Sequence, residues 1–180
     1  LAVSIKAAKT RGLPPVETWN PPFCGDIDME IRRDGTWFYE GTPIGRPGLV
    51  KLFASILIRE EDNYFLVTPV EKVGIRVQDA PFIAVDFEAS GEGEAQRLTF
   101  TTNLEDISVA GSDAPLRFVR NPDTGEPSLY VRVRRYLEAL IHRKSIFRLV
   151  DLGVHHERWV CVWSAGAFFG IIPSEDLQQE

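Results

Sequence analysis

"IDMEIRRDGTWFYE", residues 27–40, is the stretch from which the fold class can be read. Ile27, Met29 and Ile31 alternate with Asp28, Glu30 and Arg32, the period-two pattern of a strand with one buried face. Asp34-Gly35 is the dipeptide favoured in a two-residue type I′ turn, where both central positions need positive φ. Such a turn pairs Arg32 with Trp37, Ile31 with Phe38 and Glu30 with Tyr39. Ile31 and Phe38 then face inward, and Trp37 and Tyr39 share the outer face with the charges.

Working outward, the period changes after residue 41. Leu49, Leu52, Phe53 and Ile56 fall on one helical stripe, and Pro47 suits a first helical turn, where its missing N–H costs nothing. "NYFLVTPV" and "KVGIRVQ" read as two further strands, the second alternating at Val73, Ile75 and Val77. From Ala80-Pro81 the pattern begins again. Ile83, Val85 and Phe87 alternate, as do Leu98 and Phe100, with "SGEGEAQ" between them. Leu129, Val131 and Val133 mark another strand. "YLEALIHRK" then predicts a helix with Leu137, Leu140 and Ile141 on one side, its pattern degrading beyond Lys144. "WVCVW" and "GAFFGII" close as a hairpin. Both halves read strand, arginine, helix, strand, strand, which predicts an α+β protein with an internal duplication. Each half should be a curved, mostly antiparallel sheet with one main helix. The expected divisions are an arm over 1–24, a first repeat over 25–79 and a second over 80–180.

The chain has 180 residues, 44% hydrophobic and 26% charged, which is a globular composition. No apolar run reaches the length of a membrane span. "LAVSIKAAKTRG" is cut by Lys6, Lys9 and Arg11 and lacks the apolar core of a signal peptide; the start at Leu1 rather than Met leads us to expect a trimmed N-terminus. Two cysteines in a chain rich in core residues fit a reduced, cytoplasmic setting. A net charge of -6 argues against general coating of nucleic acid or anionic lipid. Within it, residues 117–148 hold eight basic residues against three carboxylates, a basic island suited to a local anion site or to solvated arginines.

"WNPPFCGDIDM", residues 19–29, carries the candidate chemistry. Cys24 has Asp26 and Asp28 beside it and no local cation, so it is expected to be a buried or half-buried structural cysteine, not a nucleophile. Asp26, Asp28 and Glu30 share a strand face and could hold a divalent cation in a metal-dependent hydrolase, but Arg32 and Arg33 could neutralise them instead. Adjacent His155 and His156 point to opposite faces of a strand and are weak as ligands. Trp19, with Pro21 and Pro22, is a stiff aromatic segment, and Asn20, Asp26 and Asp28 place hydrogen-bonding groups beside it; Trp37 and Tyr39 add aromatic surface with polar tips. That combination suits the wall of a small-ligand crevice. Arg46, before the helix, is a candidate anion contact. Tyr130, Arg132 and Arg134 share a strand face that could stack a base and pair a phosphate.

"WNPPFCGDIDMEIRRDGTWFYEGTPIGRPGLVKLF" resembles the signature of the bacterial domain of unknown function 1285 family. "FLVTPVEKVGI", "LTFTTN", "YVRVR…LEAL" and "VWSAGAFF" continue the resemblance over nearly the whole chain. It departs at Arg135 and Tyr136, where the family more often has small residues. The resemblance implies a duplicated α+β core with a C-terminal half similar to pleckstrin-homology-like folds. It also implies a ligand site between the halves, for a nucleotide-like molecule, and a role in signal transduction; no enzymatic activity and no cofactor come with it. The resulting expectation is a cytoplasmic binding protein taking a small anionic or nucleotide-like ligand between its halves. A metal-dependent hydrolase using Asp26, Asp28 and Glu30 is the alternative from another class. A protein-interaction module meeting a signalling partner is the third.

Overall fold

The computed structural model describes residues 12–178 and divides into two compact units at Pro81/Phe82. In the first unit, β1 (Phe23–Ile31), β2 (Trp37–Tyr39) and β3 (Thr42–Pro43) precede α1 (Pro47–Ser55); β4 (Leu57–Glu60), β5 (Asn63–Val67) and β6 (Lys72–Val77) follow it. They form one six-stranded sheet in the order β3-β2-β1-β6-β5-β4. Two antiparallel meanders are thus joined through the parallel pair β1–β6.

The second unit contains β7 (Phe82–Ser90), β8 (Arg97–Thr102), β9 (Ile107–Val109), β10 (Leu116–Arg120), β11 (Pro127–Arg134) and β12 (Leu137–Ile141). Its sheet runs β10-β11-β12-β7-β8-β9, again two meanders joined by a parallel pair, β7–β12. The two sheets therefore share one strand order. Among the described residues each unit has one α-helix, and the protein is α+β with two similar halves. The helices, however, enter at different points: α1 follows the third strand of its sheet, whereas α2 (Arg143–Leu152) follows the sixth. After α2 come β13 (Val154–His156), β14 (Trp159–Ser164) and β15 (Ala167–Pro173), a separate three-stranded sheet. It is tied to the second sheet through buried Ser164, whose Oγ donates to Ala110 O and accepts from Leu98 N.

Several expectations need correction. The 27–40 hairpin forms, but its loop is one residue longer. Arg32 N donates to Thr36 O and Gly35 N to Arg32 O, and the register is Ile31↔Trp37, Glu30↔Phe38, Met29↔Tyr39. Asp34 Oδ1 accepts from Thr36 N at 2.9 Å, and Gly35 (φ 88°) adopts the left-handed conformation while Asp34 does not. This is a type I turn closed by a glycine bulge, not type I′. A one-residue slip exchanges the faces. Trp37 is accordingly 1% exposed and stacked on Phe53 of α1 at 6.3 Å, in the core instead of on the outer face.

The helix stripe is rotated. Val50, Phe53 and Ala54 are the buried positions of α1, Ile56 is buried just beyond its end, and Leu49 and Leu52 are only half-buried. Residues 137–141 are strand β12, with Leu137, Ala139 and Ile141 buried. Five residues satisfied a helical and a strand period equally well, and pairing with β7 and β11 decided between them. The helix starts one residue after β12, with His142 as its cap accepting from Lys144 N. A shift of register between Ala84 and Asp86 in β7 leaves Val85 exposed, and one between Arg132 and Arg134 in β11 leaves Val133 only half-buried. Strands β3, β4, β9 and β10 were not anticipated; each lies at a sheet edge.

Candidate functional site

The site grows from an irregularity in β1. Along the parallel pair, Phe23 lies opposite Lys72, Asp26 opposite Gly74 and Glu30 opposite Arg76. β1 therefore carries extra residues relative to β6. Gly25 (φ 97°) takes the left-handed conformation that a side chain would oppose. Bulges of this kind re-aim side chains. Here the result is that Asp26 lies flat across Gly74: a Cβ built on Gly74 would sit 2.0 Å from Asp26 Oδ1 and 3.1 Å from Cγ. Gly74 leaves room for the carboxylate because it has no side chain.

Around this contact is an open depression of about 460 Å³, lined by Phe23, Asp26, Ile27, Asn63, Tyr64, Phe65, Lys72, Gly74, Ile75 and Arg76. Phe23 is 57% exposed and meets Phe65 edge-on at 5.9 Å. Lys72 Nζ lies 4.4 Å above the Phe65 ring and pairs with Glu60 Oε2 at 2.5 Å. Arg76 pairs with Asp28 at 2.7 Å, with Glu30 at 3.8 Å, and the contact to Asp28 raises its pKa above the ordinary guanidinium value. Glu30 also accepts from Gln78 Nε2 at 2.7 Å. The Asp26 side chain, by contrast, has no hydrogen-bond or ion-pair partner among the described residues. A carboxylate is acceptor-only, and this one is exposed on the lining of an aromatic depression.

The other sequence candidates are distributed as follows. Asp26 is in the depression, while Asp28 and Glu30 beside it are held by Arg76 of β6; Arg32 instead stacks on Phe38 at 3.6 Å and Arg33 pairs with Asp79. Among the described residues no group of three His, Cys, Asp or Glu side chains gathers where a metal ion could be held. Cys24 is exposed, not buried or half-buried, its Sγ donating to Pro22 O at 3.3 Å. Trp19 follows a short 3₁₀ turn (Val16–Thr18) and is half-buried, with Asn20 exposed. Of the 1–24 arm, residues 1–11 lie outside the described ones. Trp37 belongs to the core, and Tyr39 is exposed. Arg46 is exposed at the start of α1, where its carbonyl accepts from Leu49 and Val50.

In the second unit, Tyr130 is 7% exposed, capped by the Arg117 guanidinium 4.6 Å above its ring, so it does not present a free face for stacking. Arg132 is half-buried near Tyr136, and its Nε is buried without a hydrogen bond among the described residues. Arg134 pairs with Asp106 and lies 4.9 Å over Phe82; burial pulls its pKa below the ordinary guanidinium value, opposed by Asp106. Four of the eight basic residues of the island are paired with carboxylates of their own unit: Arg117 with Glu138, Arg120 with Asp176, Arg134 with Asp106 and Arg148 with Asp86.

Sequence reasoning missed Phe23, Asn63, Tyr64, Phe65, Lys72, Gly74 and Arg76. The available signal was glycine inside two strand patterns, Gly25 and Gly74, since glycine in a strand marks a bulge or a close approach.

Comparison with known proteins agrees with this two-unit organisation. The model of the DUF1285 N-terminal domain, a domain of unknown function, matches residues 14–80, and that of the DUF1285 C-terminal domain matches 81–171. The crystal structure of a DUF1285 family protein from Silicibacter pomeroyi DSS-3 is similar at 58% identity and TM-score 0.92, covering 99% of this chain and 97% of that one. A DUF1285 family protein from Shewanella baltica OS155 is similar at 32% identity and TM-score 0.54, covering 68% of this chain and 90% of that one. No curated protein matches. No described helix is long and apolar enough to cross a membrane.

Proposed function

Since the chain belongs to the DUF1285 family, whose description assigns no activity, we propose from its own surfaces that it is a binding protein whose first unit takes a small nucleotide-like ligand in the depression on β1, β5 and β6. The observation that carries this reading is Asp26, a carboxylate laid over Gly74 with no protein partner among the described residues, in a depression that exposed Phe23 and half-buried Phe65 also line. Small-ligand sites typically combine apolar and aromatic walls with a few directed polar groups in about 300–1,000 Å³, and the depression falls in that range. Phe23 and Phe65 supply the apolar wall for a planar ring. Asp26 accepts N–H donors from the ring's edge. Lys72 has three N–H donors, of which Glu60 takes one, so it retains capacity for an anionic group at the rim.

No residue in this arrangement is placed as a nucleophile or as a general acid–base pair, so the reading is binding and not catalysis. Calorimetric titration of nucleoside monophosphates into the full chain tests it. A charge-assisted hydrogen bond is worth about 1.5–3 kcal/mol, so Asp26→Asn should weaken the bound nucleotide by roughly 10-fold or more. Lys72→Ala should weaken nucleotides but not nucleosides. Absence of binding by every nucleotide, or equal affinity in wild type and both variants, would refute the proposal.

A further inference from the structure

We infer that the depression reads guanine; the inference rests on the nucleotide-binding proposal and names the base. Donor–acceptor chemistry at one carboxylate selects the base. An ionised Asp26 offers only acceptors, and no described group uses them. The two cations that line the depression do not compensate it directly: Lys72 is engaged by Glu60, and Arg76 by Asp28 and Glu30. Counting these groups, carboxylates outnumber cations, so a ligand that meets Asp26 must present hydrogen-bond donors, and a base does so through N–H groups.

Among the nucleobases, only guanine places two adjacent donors, N1–H and the exocyclic amine, on one edge with the spacing of the two carboxylate oxygens. Adenine and cytosine offer an amine beside a ring nitrogen whose lone pair would face the carboxylate. Uracil flanks its single N–H with two carbonyl oxygens. Bidentate pairing therefore selects guanine by attraction and opposes the other bases by lone-pair repulsion. Asn63 lines the same depression, and its amide provides a donor for the guanine carbonyl next to N1. The rings of Phe23 and Phe65 provide apolar contact for a purine without preference between bases. Gly74 sets the position of the selecting group: the carboxylate lies across the sheet because no Cβ occupies its place.

The guanidinium group shares this donor pattern, so the experiment includes it. The full chain is titrated calorimetrically with guanosine, inosine and adenosine monophosphates and, separately, with agmatine. Guanosine monophosphate should bind roughly 10-fold or more tightly than the adenosine form, one further hydrogen bond to a charged group being worth that much; inosine, which keeps N1–H but lacks the amine, should fall between. Asp26→Asn, an exposed substitution, should level the series by weakening guanosine most, with an unchanged melting temperature as the folding control. Equal affinities for the three nucleotides would overturn the guanine assignment while leaving nucleotide binding intact. Agmatine binding that depends on Asp26, without guanosine binding, would overturn it in favour of a guanidinium ligand. If neither nucleotides nor agmatine bind, both the assignment and the proposal beneath it fail.

Discussion

Gly74→Ala separates the position of the Asp26 carboxylate from its charge. The added Cβ would lie 2.0 Å from Oδ1 and 3.1 Å from Cγ, whereas ordinary contact begins near 3.4 Å. The oxygen must therefore withdraw by about 1.4 Å, which an exposed aspartate can do by changing rotamer. The next atom met is Asp26 Cα at 3.8 Å, already an ordinary contact, so the sheet itself need not move. Holding a side chain off its preferred rotamer costs about 0.5–1.5 kcal/mol. Replacing glycine by alanine where φ is compatible returns about 0.4–1 kcal/mol through the unfolded chain, and Gly74 is not among the residues with positive φ. Stability should then change by less than about 1 kcal/mol, a melting shift of roughly 2–4 °C at most for a chain of this size. Binding should respond differently. With the acceptors displaced, guanosine monophosphate affinity should fall by roughly 10-fold or more, as for loss of a charge-assisted bond. Differential scanning calorimetry and titration calorimetry on the same preparation read both quantities. Retained affinity would show that the carboxylate's placement over Gly74 has no part in recognition, and a melting loss well beyond a few degrees would show that Asp26 cannot move aside.

Other expectations follow from the packing and charge. Trp37→Ala should cost about 3–5 kcal/mol in urea unfolding, because it empties a stacked core position against Phe53; a cost under about 1 kcal/mol would return Trp37 to the surface. Asp86 has its pKa lowered by the hydrogen bond from Arg148, helped by the Phe87 backbone N–H, so its contribution to stability is complete above the ordinary carboxylate range and is lost as pH falls through the lowered folded value. Asp86→Asn should therefore melt below wild type at neutral pH and converge with it in acid; a gap that widens on acidification would contradict the sign. One thiol per chain should react with iodoacetamide in native conditions, Cys24, while Cys161 stays protected until denaturant is added, since it is buried and burial raises its pKa. Peptide mapping that finds both modified in the native state would contradict that burial.

What the sequence by itself determined was local. Alternation at Ile27, Met29 and Ile31 requires a strand with one covered face, Asp34-Gly35 requires a tight reversal, and Pro47 before an apolar run requires a helix start; all three are present. These signals depend on neighbours within a few positions, so the backbone's own periods reveal them. Register escaped, because Asp34 could serve a two- or a three-residue loop, and the choice moved Trp37 from ligand wall to core. The candidate site escaped for a stronger version of the same reason. Asp28 and Arg76 are 48 positions apart, and nothing near either names the other as its partner. Pairing of β1 with β6 puts Gly74 under Asp26 and Arg76 beside Asp28 and Glu30, so three carboxylates of similar spacing end with different surroundings. The basic island met the same fate: Asp86, Asp106 and Asp176 come from other strands and turns to neutralise arginines that look unopposed along the chain. Coulombic pairing acts through a few ångströms of space and is indifferent to sequence distance, so only the tertiary structure could decide which charges were already spoken for.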